Sequence, residues 1–328
     1  MTAKDKLPAG HWRKVRFSEP ARRLDKALAG QLAEEGITRS QITQWFDRGY
    51  VGRGDVVLKP SQAVEAGDEV EVFIPAPPSE IPGAERIQLD IRYEDEWLLV
   101  VNKPQGMVVH PGAGHQEGTL VNALLYRYGE ALRESGEAQR PGIVHRIDKD
   151  TSGLLLVVKN PRVHRQMADQ IRRHEVVRLY DCLCYGQLAE ERATIIAPLG
   201  RDPRNRQRQA VREDGREAIT HVRVVRRYQD ASWLRCKLET GRTHQIRVHL
   251  SYIGHPVIAD PVYAPNRRTY GLAGQALHAS ELRFIHPVTG EQIIVRAALP
   301  SHFRTALREL GESGSIEDID ERNRQEDP

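Results

Sequence analysis

The residue that stands out chemically is Asp148, a carboxylate in a polar turn, DKDTSG, between two apolar runs. Residues 142–144 before the turn and 154–158 after it are aliphatic and β-branched, which predicts two buried strands. Turns of this composition often do no more than satisfy their own backbone. Rigid flanking strands would also hold Asp148 in a cleft, where an ionised carboxylate serves as a nucleophile or a base.

The longer string around this turn resembles a known motif. Residues 146–155, RIDKDTSGLL, resemble the active-site motif of the RluA-type pseudouridine synthases. The resemblance implies that Asp148 is the essential nucleophile and that Arg146 enters the RNA stack where the target uridine leaves it. His145 and Thr151 belong to the same turn, and we group them with Arg146 as candidates for base flipping.

A second segment, VVRLYDCLCYG at residues 176–186, resembles the family's second motif, a strand that carries an active-site tyrosine. The resemblance assigns that role to Tyr180. Relatives commonly have Lys two residues earlier, where this chain has Arg178. Without the resemblance, a tyrosine in a β-rich run is more simply interpreted as a packed core side chain whose hydroxyl has a local partner.

A third segment, GRTHQIRVHL at residues 241–250, resembles the motif in which an arginine pairs with the catalytic aspartate; by position this is Arg247. Its alternation predicts a strand with two faces, one formed by His244, Ile246, Val248 and Leu250 and the other by Gln245, Arg247 and His249. An exposed strand face with solvated charges is the alternative. The histidines lie on opposite faces with no glutamate beside them, so we predict no metal site.

The implied reaction breaks the bond between C1′ and N1 of uridine and rejoins the base through C5. It gains no atoms and changes no redox state, so no cofactor is expected, and the sequence contains no GxxxxGK[ST] or GxGxxG motif. Asp148 would act as a covalent nucleophile or as a base that removes the 2′ proton to give a glycal, and the sequence favours neither route. The target base must be flipped out of its helix. The resemblance implies that Tyr180 stacks against that base and helps to remove the C5 proton.

Positive charge is mild overall, with a net charge of +3 and a pI of about 8.7, but it is concentrated locally. Five arginines crowd into one segment opposed only by Asp202, namely Arg201, Arg204, Arg206, Arg208 and Arg212. Pro203 and Asn205 predict that this segment is a loop, either simply solvated or acting as a flexible arm that grips RNA phosphates. The helix expected after Asn160 carries a second basic surface, formed by His164, Arg165, Arg172, Arg173 and His174.

The N-terminal part, residues 13–75, is predicted to be a separate small α+β module. Leu24, Leu28 and Leu32 have helical spacing, and a second helix with Thr38 at its cap has an apolar face formed by Ile42, Trp45 and Phe46. The order of elements resembles the S4 RNA-binding domain. Three cations off the leucine stripe are therefore predicted to bind RNA, namely Arg22, Arg23 and Lys26. The alternative is a small appended α+β domain that has no role in RNA binding.

The remaining organisation follows from composition. Residues 76–86 are predicted to be a proline-rich linker, and residues 87–310 an α+β catalytic domain on a mixed, mainly antiparallel sheet, because helices and strands do not alternate regularly. Residues 1–12 and the acidic residues 311–328 are expected to be disordered.

The three cysteines, Cys182, Cys184 and Cys236, lack zinc-ligand spacing and are odd in number, which favours buried thiols in a reducing compartment. The sequence resembles no signal peptide and has no apolar run of about 20 residues. We therefore expect a cytoplasmic monomer, without membrane association, that modifies RNA, with large-subunit ribosomal RNA as the favoured substrate. Two alternatives stay open: the same enzyme acting on tRNA, and a catalytically silent RNA-binding or ribosome-assembly factor.

Overall fold

The computed structural model describes residues 10–33, 37–54, 56–75, 82–112, 115–137, 140–205 and 207–323. The chain divides into two compact units, Met1–Glu80 and Ile81–Pro328, and the boundary lies inside the predicted linker. Residues 76–81 of that linker are outside the described residues. Residues 82–86 already belong to the second unit, since the Glu85 carboxylate accepts a hydrogen bond from Gly118 N. The second unit therefore begins before residue 87.

The first unit is an α+β domain with an antiparallel sheet in the order β1-β4-β2-β3. Its elements are β1 (Gly10–Arg16), α1 (Leu24–Gln31), α2 (Arg39–Asp47), β2 (Val51–Arg53), β3 (Val56–Val57) and β4 (Glu69–Pro75). The predicted leucine stripe is fully buried, and so is the predicted face of the second helix. Thr38 caps α2 through a capping box with Gln41, as its sequence predicts.

The expected disorder of residues 1–12 is partly wrong. Residues 1–9 are outside the described residues, but residues 10–12 belong to β1, which pairs with β4. Trp12 packs edge-on against Phe73 at 5.4 Å between ring centroids. Cross-strand packing of this kind stabilises a strand that polar composition alone does not favour.

The second unit is built on a nine-stranded sheet in the order β11-β14-β15-β10-β16-β9-β6-β5, with β17 also paired to β16. Its strands are β5 (Ile91–Glu94), β6 (Leu98–Lys103), β7 (Gly136–Glu137), β8 (Arg140–Pro141), β9 (Ser152–Val158), β10 (Val177–Tyr185), β11 (Arg192–Ile196), β12 (Leu199–Arg201), β13 (Gln209–Val211), β14 (Ile219–Arg227), β15 (Ala231–Leu238), β16 (Leu277–Ile285) and β17 (Gln292–Arg296). Its helices are α3 (Leu120–Arg133), α4 (Pro161–Arg172), α5 (Gln245–Tyr252), α6 (Ser301–Glu309) and α7 (Ile316–Asn323). Among the strands that the structure describes, only β9 and β16 pair in parallel within this sheet, so the predicted mainly antiparallel fold is confirmed.

Strand β9 is apolar throughout because both faces of the sheet are covered. Leu155 and Val157 join one core cluster, whereas Leu154, Leu156 and Val158 join a second cluster on the opposite face. A doubly covered strand needs no polar face and is therefore encoded as a continuous apolar run.

Two predictions about local structure are wrong. Residues 142–144 are not a strand: Ile143 forms only an isolated bridge to Val157, and Gly142 has a φ of 74°, in the left-handed region. Residues 311–328 are not disordered as a whole, because α7 buries Ile316 and Ile319 in the core. These two apolar residues outweigh the acidic composition; residues 324–328 are outside the described residues.

Candidate active site

The turn that carries Asp148 is held by side chains from distant elements. Lys103 is fully buried, and its Nζ donates to the carbonyl of Lys149 at 2.9 Å as well as to the carbonyls of Pro104 and Met107. Within the turn, Thr151 N donates to the carbonyl of Asp148 at 3.1 Å. The carboxylate is thus presented by a backbone that is fixed on both sides.

The motif has a glycine at position 153 for a steric reason. Gly153 has a φ of 110°, and a Cβ there would collide with the backbone of Ala279 on β16. Only glycine allows the start of β9 to approach β16 this closely. The Thr-Ser-Gly part of the motif therefore allows the turn to pack closely against the sheet.

The predicted ion pair between Arg247 and Asp148 is present, with Nη1 at 2.8 Å from Oδ2. Arg247 also contacts a second carboxylate, Asp260, through Nε at 2.6 Å and Nη2 at 2.9 Å. Burial lowers the pKa of Arg247, but hydrogen bonds to Asp260 and the charge of Asp148 outweigh it and raise that pKa above its usual range. The guanidinium therefore stays charged.

Residues 245–250 lie on helix α5, so the predicted strand is wrong. His244 precedes the helix in the left-handed region, with φ 58° and ψ 20°. All six residues from Gln245 to Leu250 are buried, and the predicted separation into two strand faces does not exist. Because polar and apolar residues alike are buried from residue 245 to residue 250, this part of the helix has no helical periodicity to detect. His249 contacts Thr220 and Ala197, away from Asp148.

Tyr180 lies on β10 and is buried, and burial raises the pKa of its phenol. It lines the same cleft as Asp148, Arg146, His244 and Arg247, and this cleft opens to solvent. The structure thus brings the three predicted catalytic side chains to one cleft.

The three base-flipping candidates differ in their surroundings. Arg146 is exposed at the cleft, where it is able to reach a ligand. His145 instead accepts a hydrogen bond from Leu156 N at 3.0 Å, and burial lowers its pKa to about 3. Thr151 is buried, and its Oγ1 accepts a hydrogen bond from Gln275. His145 and Thr151 therefore stabilise the turn through contacts with other parts of the protein.

The predicted basic loop is the tip of a hairpin. Strands β12 and β13 pair with each other, so Arg201 is on a strand, while Arg204 and Arg208 lie in residues 202–208 between them. Arg206 is outside the described residues. The Arg208 guanidinium stacks over the Tyr263 ring at 5.2 Å, and the Tyr263 hydroxyl lies 3.0 Å from His244 Nδ1. One tyrosine therefore contacts both the hairpin and the cleft.

A second opening adjoins the cleft and is also basic. The lining includes Asp148 and Tyr180, which it shares with the cleft, and four arginines, Arg146, Arg172, Arg178 and Arg242. Arg178, the substitution for the usual lysine, is buried, and its Nη2 donates to the carbonyl of Glu239 at 3.2 Å. An anionic backbone entering this groove would meet several cations beside the reactive carboxylate.

The cations of the first unit are in two different environments. Arg22 and Lys26 are exposed. Arg23 pairs with the buried Asp25 at 2.9 Å, and Arg39 pairs with the same carboxylate at 2.7 Å. Hydrogen bonds, above all from Arg23, lower the pKa of Asp25 to about 2. Arg23 therefore also has a structural role.

Sequence reasoning missed Asp260, Lys103 and the position of His244 beside Asp148. Asp260 and Lys103 lie outside the three motif segments, so those segments did not indicate their contacts around Asp148. Within the described residues, no three potential metal ligands cluster together and no helix is long and apolar enough to cross a membrane. The three cysteines are buried and free, as predicted.

Comparison with known proteins gives consistent matches over this chain. The RNA pseudouridylate synthase family matches residues 97–252. An uncharacterised RNA pseudouridine synthase of Bacillus subtilis is 45% identical over 296 residues, which are 90% of this chain and 96% of the relative. Ribosomal large subunit pseudouridine synthase D of Zymomonas mobilis is 42% identical over 299 residues, 88% of this chain and 93% of the relative.

A solved structure agrees with this grouping. Human RNA pseudouridylate synthase domain containing 1 has a TM-score of 0.57 and 26% identity, and the match covers 76% of this chain and all of that one. Identity above 40% over almost the whole length of two relatives requires common ancestry. The chain therefore belongs to the RluA-type family of RNA pseudouridine synthases.

Proposed function

We propose that this pseudouridine synthase modifies specific uridines of large-subunit ribosomal RNA and that Asp148 is its reacting carboxylate. The observation that supports Asp148 is its 2.8 Å ion pair with Arg247 at the wall of an open cleft that Tyr180 also lines. The substrate class is supported by relatives between 37% and 42% identical whose names specify the large ribosomal subunit.

Each side chain at the cleft has a role that its surroundings permit. Arg247 pairs its positive charge with Asp148, and both the nucleophilic and the glycal route use that carboxylate in its ionised form. Tyr180 stays protonated because burial raises its pKa, and its ring offers the flipped uracil a stacking surface. Arg146, exposed at the cleft mouth, fills the gap that the uracil leaves in the stack.

The basic surfaces bind phosphates in this proposal. The exposed Arg201 and Arg204 on the hairpin, together with Arg208, contact the RNA backbone near the cleft. The first unit acts as an S4-like RNA anchor through Arg22 and Lys26. We further propose that the protein acts as a monomer in the cytoplasm, the compartment of its proposed substrate.

The decisive test of the substrate is a map of pseudouridines in total RNA from cells with and without this gene. Loss of specific sites in large-subunit ribosomal RNA, restored by the gene, is the expected result. Loss confined to tRNA would replace the proposed substrate class. An unchanged map would favour a non-catalytic RNA-binding or ribosome-assembly factor.

The decisive test of the carboxylate compares Asp148→Asn with Asp150→Asn. Both changes are isosteric and lie in the same turn, but only Asp148 contacts Arg247. We expect Asp148→Asn to abolish turnover while RNA affinity stays within a few fold, and Asp150→Asn to stay active. Turnover by purified Asp148→Asn, free of wild-type protein, would refute the assignment.

A further inference from the structure

Arg247 contacts two carboxylates in unequal ways. Asp260 engages Nε at 2.6 Å and Nη2 at 2.9 Å, a two-point contact along one edge of the guanidinium. Asp148 receives a single hydrogen bond, from Nη1 to Oδ2 at 2.8 Å. The planar guanidinium has fixed donor directions, so a carboxylate on one edge determines where the remaining nitrogen points.

Asp260 is itself rigidly held. It is fully buried, and its Oδ1 accepts backbone hydrogen bonds from Val262 at 2.9 Å and Tyr263 at 3.0 Å. The Tyr263 ring packs against the Arg247 guanidinium at 5.2 Å. Asp260 therefore acts as a fixed acceptor that orients Arg247.

The two oxygens of Asp148 consequently differ. Oδ2 is occupied by Arg247, whereas Oδ1 lies 4.0 Å from His244 Nε2, beyond hydrogen-bond distance, on the lining of the cleft. The Asp148 side chain keeps 18% of its surface exposed, against none for Asp260. Only Asp148 is placed to react with a ligand from solvent.

We propose that Asp260 is a positioning residue that restricts Arg247 to a one-point contact with Asp148 and so leaves Oδ1 of Asp148 as the reacting oxygen. This inference rests on the proposed function of Asp148. Without Asp260, the guanidinium would be free to turn its two-donor edge toward Asp148 and engage both oxygens, which would withdraw the lone pairs of Oδ1.

A free Oδ1 satisfies both chemical routes. In the nucleophilic route, Oδ1 forms a bond to C1′ while the electron pair of the C1′–N1 bond leaves with the uracil anion. In the glycal route, Oδ1 takes the 2′ proton, the C2′–H electron pair forms a C1′–C2′ double bond, and the same anion leaves. When C5 then bonds to C1′, the bond between C1′ and Asp148 breaks in the nucleophilic route, whereas Asp148 returns the proton to C2′ in the glycal route. In both routes one proton finally moves from C5 to N1 of the uracil.

Charge sharing gives the arrangement a second consequence. One guanidinium faces two carboxylates, so Asp148 is ion-paired without being fully neutralised. Lys103, Arg146 and His244 also lie near Asp148, and the charge of Asp260 acts on His244 as well. Removing the Asp260 charge would direct the whole Arg247 charge onto Asp148.

The test measures single-turnover rates across pH for Asp260→Asn and Asp260→Glu, with an RNA fragment that the wild-type protein modifies. Asp260→Asn places an amide donor against the guanidinium; we expect a rate loss of about 100-fold with little change in KM. We also expect the acid limb of its pH profile to move to lower pH, because Arg247 then no longer shares its charge with a second carboxylate. Asp260→Glu keeps the charge but displaces it, so its rate should fall while its acid limb stays in place.

The matched control is Asp181→Asn. Asp181 is another fully buried carboxylate that pairs with a buried arginine, Arg235, at 2.8 Å, but it does not line the cleft. It should lose thermal stability while its pH profile keeps the wild-type shape. A purely structural role for Asp260 would make Asp260→Asn behave in the same way and would overturn the proposal.

Arg247→Lys tests the geometry independently of whether the Asp260 variants fold. Lysine keeps the charge but has no two-donor edge, so we expect a clear rate loss, and a wild-type rate would overturn the proposal. If the double variant folds, adding Asp260→Asn to Arg247→Lys should lower the single-turnover rate by less than about three-fold further. Activity of Asp148→Asn would refute the proposed function itself. Wild-type behaviour of the Asp260 variants, with Asp148→Asn inactive, would refute only this inference.

Discussion

Replacing Arg247 by alanine should destabilise the second unit strongly, because it removes the arginine that pairs with both Asp148 and Asp260. Arg247 is only 4% exposed and donates three hydrogen bonds to Asp148 and Asp260. After its loss, the fully buried Asp260 keeps two backbone donors, but the described residues place no other cation within ion-pair distance of it. Breaking a buried ion pair from one side costs about 3–5 kcal/mol, a large part of the 5–15 kcal/mol that stabilises a typical domain.

Arg204→Ala is the matched control, since Arg204 is exposed at the tip of the hairpin. An exposed arginine contributes less than about 1 kcal/mol to the free energy of unfolding. Urea denaturation of both variants, followed by circular dichroism, measures the difference. Equal and small losses would show that the ion pair of Arg247 is absent in solution.

A double variant identifies the cause of the loss. If the stranded charge of Asp260 is responsible, Arg247→Ala with Asp260→Asn should be more stable than Arg247→Ala alone, because the amide is neutral. Urea midpoints of the two proteins decide the question. A double variant less stable than the single one would mean that lost packing around the arginine stem dominates instead.

Three other measurements address the rest of the chain. Deleting residues 1–80 should raise KM for structured RNA and make that KM less dependent on salt, with a smaller effect on the maximal rate. A salt dependence of KM equal to that of the full chain would exclude an anchoring role. Burial lowers the pKa of Lys103 to about 7, against about 10.4 unfolded, so the unfolded chain binds more protons between these values. The free energy of unfolding of the wild type relative to Lys103→Met should therefore rise by about 2 kcal/mol from pH 7 to pH 9, and a constant difference in urea titrations would contradict this. Ile319→Ala should lose about 2–5 kcal/mol in urea denaturation and Glu321→Ala less than about 0.5 kcal/mol, whereas a disordered tail would tolerate both.

Much of the fold could be predicted because its signals are local. Leucines four residues apart bury one face of α1, and the polar pattern at Thr38 and Gln41 is a start signal that depends only on nearby backbone. The continuous apolar run of β9 likewise predicts a strand covered on both faces. Each of these features is stabilised within a few residues of the pattern that encodes it.

The local structure around Arg247 could not be predicted in the same way. Alternating apolar residues at Ile246, Val248 and Leu250 have the period of a strand, yet the segment is a helix in which residues 245–250 are all buried. Packing against other elements, and not the local pattern, decides such a case. Arg247 was identified through the motif resemblance, which depends on residue identity and not on the type of local structure.

The sequence does not predict which of the buried or half-buried aspartates has which role. Asp148, Asp181 and Asp260 have the same functional group, and each pairs with a buried arginine. What separates them is exposure, because the Asp148 side chain retains 18% of its surface while the other two retain almost none. A carboxylate closed off from solvent orients its partner, whereas one that keeps an open oxygen is able to meet a substrate. That difference arises from tertiary packing around α5 and the sheet, and the spacing of the acids along the chain does not encode it.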